Sequence, residues 1–311
     1  MAAAPLPEEL SRAARVLWVR SRRAASRLAA GGYASAFRGV GMEFDESRPY
    51  EPGDDVRHFD WNAMARTGEP FVKRFREERD QTLVLLLDVS ASMAFTSGSR
   101  TKAELAAHTA ALLAVAAGHA GDRVGLVAFG EEVVCEMRAR RGEAHIWQLV
   151  RSVVDCAHRP AGGTRLATAL ARVPRLASHR AIVVVLSDFR DGSLAGPTIQ
   201  GGPRARLVAA ARHHDLVAAI VQDPRDEELP DCGVLRLADP EARGGELVID
   251  SGSKRARALY RTACGVRRRA LERRLRGDGA DVLWLRTDRD PLPRLVRFFH
   301  AHAGRVHGGV G

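Results

Sequence analysis

Residues 81–93 read QTLVLLLDVSASM, and this stretch decides the fold. Leu83 to Leu87 form an apolar run with no polar alternation, the pattern of a strand buried on both faces of a parallel sheet. The run stops at Asp88, and Ser90 and Ser92 follow at alternate positions. A second run, AIVVVLSDF at 181–189, also ends on polar residues, Ser187 and Asp188. Between and beyond these runs the period switches repeatedly. Leu105, Thr109, Leu112, Leu113 and Ala116 carry helical spacing over 101–119. Strands at 123–129 and 132–137, parted by Gly130 and acids, read as a hairpin. Helices at 143–157 and 165–177 flank the turn RPAGGT. A helix at 204–214, a strand at 216–221, an irregular acidic stretch, a helix at 253–276, a strand at 281–286 and a helix at 291–303 complete the series. Strands alternating with helices predict an α/β fold, a doubly wound, mostly parallel sheet with helices on both faces.

Upstream, residues 7–30 read as a helix ended by Gly31 and Gly32. From Ala36 to Arg79 neither period survives, and the stretch is dense in charged and aromatic residues. The expected division is therefore 1–80, an N-terminal helical and irregular extension packing on the main domain, and 81–311, the α/β domain.

The 311 residues are 45% apolar and 28% charged, a globular composition that excludes wholesale disorder. No run approaches the ~20 apolar residues of a membrane-spanning helix. The first residues, MAAAPLPEELSR, lack the basic and apolar regions of a signal peptide, so a cytoplasmic location is expected. Cys135, Cys156, Cys232 and Cys264 are widely spaced, which favours reduced, mostly buried thiols over zinc or a disulfide framework. Eleven histidines include no HExxH. The formal charge of +10 is concentrated: residues 1–40 carry +5, residues 253–276 carry +9, and the rest is net acidic. Two readings of the basic segments stand, solvated helix faces or a surface for an acidic protein, membrane surface or nucleic acid. In helix 253–276 the apolar positions Leu259, Ala263, Val266, Ala270, Leu271 and Leu275 follow helical spacing, the pattern of a sheet-packing helix with an arginine-rich outer face. No nucleic-acid motif accompanies it, so nucleic acid is not the expected partner. Only Lys73, Lys102 and Lys254 are lysine.

In open α/β sheets, ligands bind outside the carboxyl ends of the strands, where strand order reverses. At those ends the sequence places Asp88-Val89-Ser90-Ala91-Ser92, Gly162-Gly163-Thr164 and Ser187-Asp188-Phe189. Three common chemistries fail there. A dinucleotide site needs GxGxxG, and no glycine occurs in the first loop before Gly98; GxxxxGK[ST] occurs nowhere. A phosphatase with paired aspartates two residues apart would need an acid where Ser90 stands. What remains is a set of hard oxygen donors suited to Mg²⁺, or to Mn²⁺ and Ca²⁺ less selectively.

Asp88-x-Ser90-x-Ser92 with Thr164 and Asp188 resembles the metal-ion-dependent adhesion site of von Willebrand factor A domains, as in integrin inserted domains. The resemblance implies that the hydroxyls of Ser90, Ser92 and Thr164 ligate the ion and that Asp88 and Asp188 act mostly through water. An ion held by neutral hydroxyls keeps its charge and an open position, which a partner's Asp or Glu fills.

The segment RPYEPGDDVRHFDWNAMARTGEPFVKRFREERDQTLVLLLDVSASM, preceded by Gly39-Val40-Gly41-Met42-Glu43-Phe44, resembles the bacterial domain-of-unknown-function-58 family, which joins this signature to a von Willebrand factor A-like domain. The resemblance implies a non-enzymatic, metal-dependent protein-binding adaptor working with a MoxR-type AAA+ ATPase in assembly or maturation of protein complexes. Many members begin with transmembrane helices that this sequence lacks. Within the signature, Arg48, Tyr50, Asp54, Asp55, Arg57, Asp60, Trp61 and Arg66 are candidates for a partner contact; internal ion pairs and aromatic burial are the competing account. A metal-dependent hydrolase and a basic nucleic-acid-binding module are the alternative functions, each from a different class.

Overall fold

The computed structural model describes residues 8–30, 42–51, 54, 59–77, 81–191, 202–238 and 246–307. Its contacts divide the chain into two units, Met1–Phe37 with Thr82–Gly311, and Arg38–Gln81.

In the larger unit, six strands form one sheet: β3 (Thr82–Asp88), β4 (Arg123–Phe129), β5 (Val133–Arg140), β6 (Ile182–Ser187), β7 (Asp215–Gln222) and β10 (Asp281–Arg286). Their order is β10-β7-β6-β3-β4-β5, parallel throughout except for β5, which runs antiparallel along the edge. Counted within the sheet from the β5 edge, this is the order 3-2-1-4-5-6 of doubly wound folds, and the chain reverses its winding between β3 and β6.

The two helical layers follow from the pleat. Leu83, Leu85 and Leu87 enter one core with residues of α1 (Glu8–Ala30), α3 (Lys102–Ala120), α4 (Glu143–Ala157) and α9 (Leu292–His307). Val84 and Leu86 enter the other with α5 (Leu166–Leu170), α6 (Val173–Leu176), α7 (Pro203–His213) and the end of α8 (Lys254–Gly277). Successive side chains of a strand point to opposite faces, so a strand covered on both sides has no polar position to spare. Helix α3 starts at a capping box: the Thr101 hydroxyl accepts from the Glu104 N–H at 3.0 Å, and the Glu104 carboxylate accepts from the Thr101 N–H at 2.8 Å.

Several expectations are corrected here. Helix α1 does not group with the signature segment. It packs on α3 and α4, Trp18 meeting Trp147 edge to face at 5.5 Å, and so belongs to the larger unit. The helix expected over 165–177 is two short ones, because Pro174 opens a new helix in its first turn. The acidic stretch holds an antiparallel hairpin of β8 (Val234–Ala238) and β9 (Glu246–Asp250). On α8, Leu259 and Val266 are exposed by 63% and 53%, and only Leu275 is fully inside. The four cysteines are free thiols as expected, but only Cys156 is buried and Cys232 is exposed.

The smaller unit carries the signature segment, which is more regular than its sequence suggests. Strands β1 (Met42–Pro49) and β2 (Phe71–Glu77) pair antiparallel with a bulge between Phe44 and Glu46, and α2 (Trp61–Thr67) sits between them in sequence. Asp60 caps α2, its Oδ1 accepting from Asn62 and Ala63 N–H at 3.1 Å each, while its Oδ2 accepts from the Ser47 hydroxyl at 2.7 Å. One side chain thus ties strand to helix. Asp60→Ala is expected to cost about 1–2 kcal/mol of this unit's stability. Hydrogen exchange should quicken at the α2 amides and stay unchanged in the six-stranded sheet; equal protection in α2 would refute the assignment.

Candidate functional site

Parallel strands that share a direction bring their carboxyl ends to one edge. Leu87 is level with Leu186, so Asp88 and Ser187 leave the sheet side by side at the reversal of winding. The Ser187 hydroxyl donates to Asp88 Oδ2 at 2.5 Å, and the Ser90 N–H donates to Asp88 Oδ1 at 2.9 Å. Asp88 is wholly buried. Burial and the nearby Asp188 charge push its carboxyl up to about 7 despite those donors.

Ser90 and Ser92 are also buried, with hydroxyls 3.2 Å apart. Adjacent donors of an octahedral Mg²⁺ with bonds of about 2.1 Å stand about 3.0 Å apart, so this pair has the spacing of two neighbouring ligands. The Gly162-Gly163-Thr164 loop is fastened to the same edge: Gly162 C=O accepts from Ala91 N–H at 2.8 Å, and Val89 C=O accepts from Ala161 N–H at 2.8 Å. Gly162 takes φ +58° there. Gly130, at the end of β4, lies so close that an added Cβ would stand 2.0 Å from the Ala161 oxygen. Only glycine permits that approach.

Asp188 is held by a group that sequence reasoning did not single out as functional. Lys102, in the first turn of α3 and 1% exposed, donates to Asp188 Oδ2 at 2.6 Å and lies 3.7 Å from Asp226 Oδ2. Arg190 pairs with Asp226 at 2.5 Å and donates its N–H to Asp188 Oδ1 at 3.2 Å. A signal was present: Lys102 is one of three lysines in a chain rich in arginine, placed where a helix begins beneath the site. Phe189 adopts φ +54°, uncommon for a residue other than glycine, and its N–H is fixed by the Ser187 hydroxyl at 3.0 Å.

Do these residues fit a divalent ion? The donors are oxygen, two are neutral hydroxyls at ligand spacing, and Asp88 is a carboxyl that an ion would deprotonate. Asp188 offers its carboxylate while already bound to an ammonium, so an ion and Lys102 would share it. The set fits in chemistry, with Lys102 as a built-in competitor. Among the described residues no group of three His, Cys, Asp or Glu gathers as a metal cage, since this edge is built mainly of hydroxyls.

The signature candidates lie in the smaller unit. Arg48 pairs with Asp54 at 2.6 Å and holds that carboxyl below its ordinary range. Tyr50, Phe59 and Trp61 form edge-to-face contacts at 5.2 and 5.5 Å, and Trp61 remains 67% exposed. Arg66 donates to Asn62 C=O at 3.2 Å. Asp55 and Arg57 lie outside the described residues.

The reversal point, the serine loop at its first strand and the aspartate at the neighbouring strand define a von Willebrand factor A-like module. The chain belongs to the family described as "Protein of unknown function DUF58", whose model matches residues 46–270. It is 35% identical over 269 residues to the uncharacterized protein Rv1480 of Mycobacterium tuberculosis, covering 86% of this chain and 82% of that protein. It is 36% identical over 162 residues to the uncharacterized protein MAV169 of Mycobacterium avium, covering 51% of this chain and 89% of the other. Among solved structures, the conserved hypothetical protein BatB from Bacteroides thetaiotaomicron matches 74% of this chain and 100% of its own, with a TM-score of 0.45 and 13% identity. The SpRpn10 VWA domain matches 70% and 93%, with a TM-score of 0.33 and 13% identity. No helix among the described residues is long and apolar enough to cross a membrane.

The raised Asp88 carboxyl sets a pH dependence for the ion-free protein. The folded state holds this proton more tightly than the unfolded chain, so the contribution is complete below about pH 4 and is lost as pH rises to about 7. In EDTA, the stability of wild type relative to Asp88→Asn is expected to fall between pH 4 and 7. Parallel urea midpoints for the two proteins across that range would show that Asp88 does not titrate there.

Proposed function

We propose that this chain is a non-enzymatic protein-binding adaptor that captures its partner through a divalent ion, Mg²⁺ foremost, held by Asp88, Ser90, Ser92, Thr164 and Asp188. A partner's Asp or Glu would complete the ion's coordination. The reading includes a MoxR-type AAA+ ATPase as the working partner, in assembly or maturation of protein complexes in the cytoplasm. The protein-interaction role follows the family and the fold. The observation that carries the ion is the buried Ser90–Ser92 hydroxyl pair, 3.2 Å apart beside a buried carboxyl at the reversal of the sheet.

The chain's own residues divide the labour. Ser90, Ser92 and the Thr164 loop would supply neutral donors that leave positive charge on the ion. Ser187 and the Ser90 N–H orient Asp88, and Lys102 holds Asp188 in place while no ion is bound. The ion, once present, supplies an electrophilic position for a carboxylate and needs no further chemistry.

Tagged protein incubated with cell extract in Mg²⁺ is expected to retain a partner that EDTA releases. Asp88→Ala and Ser90→Ala should lose that partner while keeping the native circular dichroism. Capture that survives EDTA and both substitutions would overturn the reading.

Lys102 provides a second check. Lys102→Met leaves Asp188 buried without its ammonium, and a loss of about 3–5 kcal/mol is expected in EDTA. Excess Mg²⁺ should restore much of that loss in the variant and do less for wild type. Identical urea midpoints with and without Mg²⁺ in the variant would argue that no ion replaces the ammonium.

A further inference from the structure

Beside the serine loop lies a cavity of about 470 Å³, within the range of about 300–1,000 Å³ typical of ligand sites. Its polar lining is Ser92, Lys102, Arg190, Arg225, Asp226, Arg236 and Tyr260. Three of the four cations are already engaged, Lys102 by Asp188 at 2.6 Å, Arg190 by Asp226 at 2.5 Å, and Arg236 by a partner of its own. Arg225 is half-buried, and its guanidinium has no ion pair or hydrogen bond among the described residues. A half-buried guanidinium has five donors to satisfy, and a carboxylate matches its fork two at a time.

The backbone that carries Arg225 is fixed before any ligand arrives. The short turn Pro224–Asp226 follows β7, at the same carboxyl edge of the sheet. The Arg225 N–H donates to Asp223 Oδ1 at 2.9 Å, and its C=O accepts from the Tyr260 hydroxyl at 2.9 Å. Asp223 is itself wholly buried and accepts from Ser97 N–H at 3.0 Å and from the Thr287 hydroxyl at 2.9 Å. A receptor on a pinned turn loses little freedom on binding.

The charge balance selects the ligand. One cation is unmatched, and Asp226 stands next to it, so a monoanion is matched where a phosphate dianion would meet a carboxylate. The opposite wall is apolar, made by Leu229, Leu235 and Leu237. Leu247 of β9, level with Leu237 and so on the same face of the hairpin, is also 60% exposed. A small metabolite would leave that surface wet, whereas a polypeptide can cover it.

We propose that this cavity receives an apolar segment of a partner polypeptide bearing a carboxylate, with the Arg225 guanidinium as its receptor. The proposal rests on the protein-binding reading of the chain and needs no divalent ion, although Ser92 and Lys102 border both sites. Both a Glu side chain and a chain terminus present this chemistry.

The test is fluorescence anisotropy of the full chain with two labelled probes. One is the amidated peptide Gly-Leu-Leu-Glu-Leu-Leu-Gly, and the other is Gly-Leu-Leu-Leu-Leu with a free terminal carboxylate. At least one should bind, equally in Mg²⁺ and in EDTA, and its Gln or amide counterpart should bind about tenfold more weakly. Arg225→Ala should weaken binding by about tenfold and Arg225→Lys by less, since lysine keeps the charge without the fork. Asp88→Ala should bind as wild type does. Arg225→Gln keeps the stem of the side chain and replaces Arg225→Ala if the latter melts early.

Failure of both probes, equal affinity in Arg225→Ala, or competition by ATP against either probe would overturn the proposal. Probe binding lost in EDTA and in Asp88→Ala, but kept in Arg225→Ala, would place the carboxylate on the ion instead. Conversely, capture insensitive to EDTA removes the ion reading and leaves the Arg225 result standing.

Discussion

Strand β3 has no side that meets solvent, and the organisation of the larger unit follows from that constraint. Every residue from Leu83 to Leu87 is fully buried, so polar chemistry begins only where the strand ends. The neighbouring β6 runs parallel and in register, so its first polar residues arrive at the same place. A carboxyl, three serine hydroxyls and a second carboxylate therefore converge without any long loop to carry them. The cost is electrostatic. Two carboxyl groups at one dry edge repel; burial and the Asp188 charge push the Asp88 carboxyl up to about 7, and the Lys102 ammonium is set against Asp188.

The same balance explains where the net positive charge goes. The arginines of α8 meet the acidic stretch after β7: Arg257 pairs with Asp231, Arg261 with Glu228, and Arg268 with Glu227, each within salt-bridge distance. Arg268 also lies over the Trp284 ring at 4.3 Å. Those acids are thus partly spent on the helix that the sequence marks as most basic. Arg225, four residues upstream of Leu229, is an exception in this matched region, which is why its position on a fixed turn carries functional weight.

Much of the fold was legible because buried parallel strands and amphipathic helices write strong local patterns. The six strands of the main sheet and the alternation with helices emerge from period alone. Misreadings fall where tertiary context overrides local pattern. The segment between Ala36 and Arg79 looks irregular in part because β1 carries a bulge between Phe44 and Glu46, which breaks the alternation of that strand. Helix α8 looks like a sheet-packing helix, yet Leu259 and Val266 remain outside because only its last turns reach the sheet. Pro174 splits one helical pattern into two helices, a boundary that the residue itself announces.

The sequence by itself determined the doubly wound class and the strand-end positions of Asp88, Ser90, Ser92 and Asp188, since an unbroken apolar run can end only at a sheet edge. Only the tertiary structure decided what surrounds them. Lys102 and Asp188 are 86 positions apart, and Ser97 and Asp223 are 126 apart. No local period encodes such pairs, because they depend on strand order and register across the whole sheet. The ammonium at the candidate ion site and the unmatched guanidinium beside it are products of that folding, set by which charges the sheet brings together and which it leaves apart.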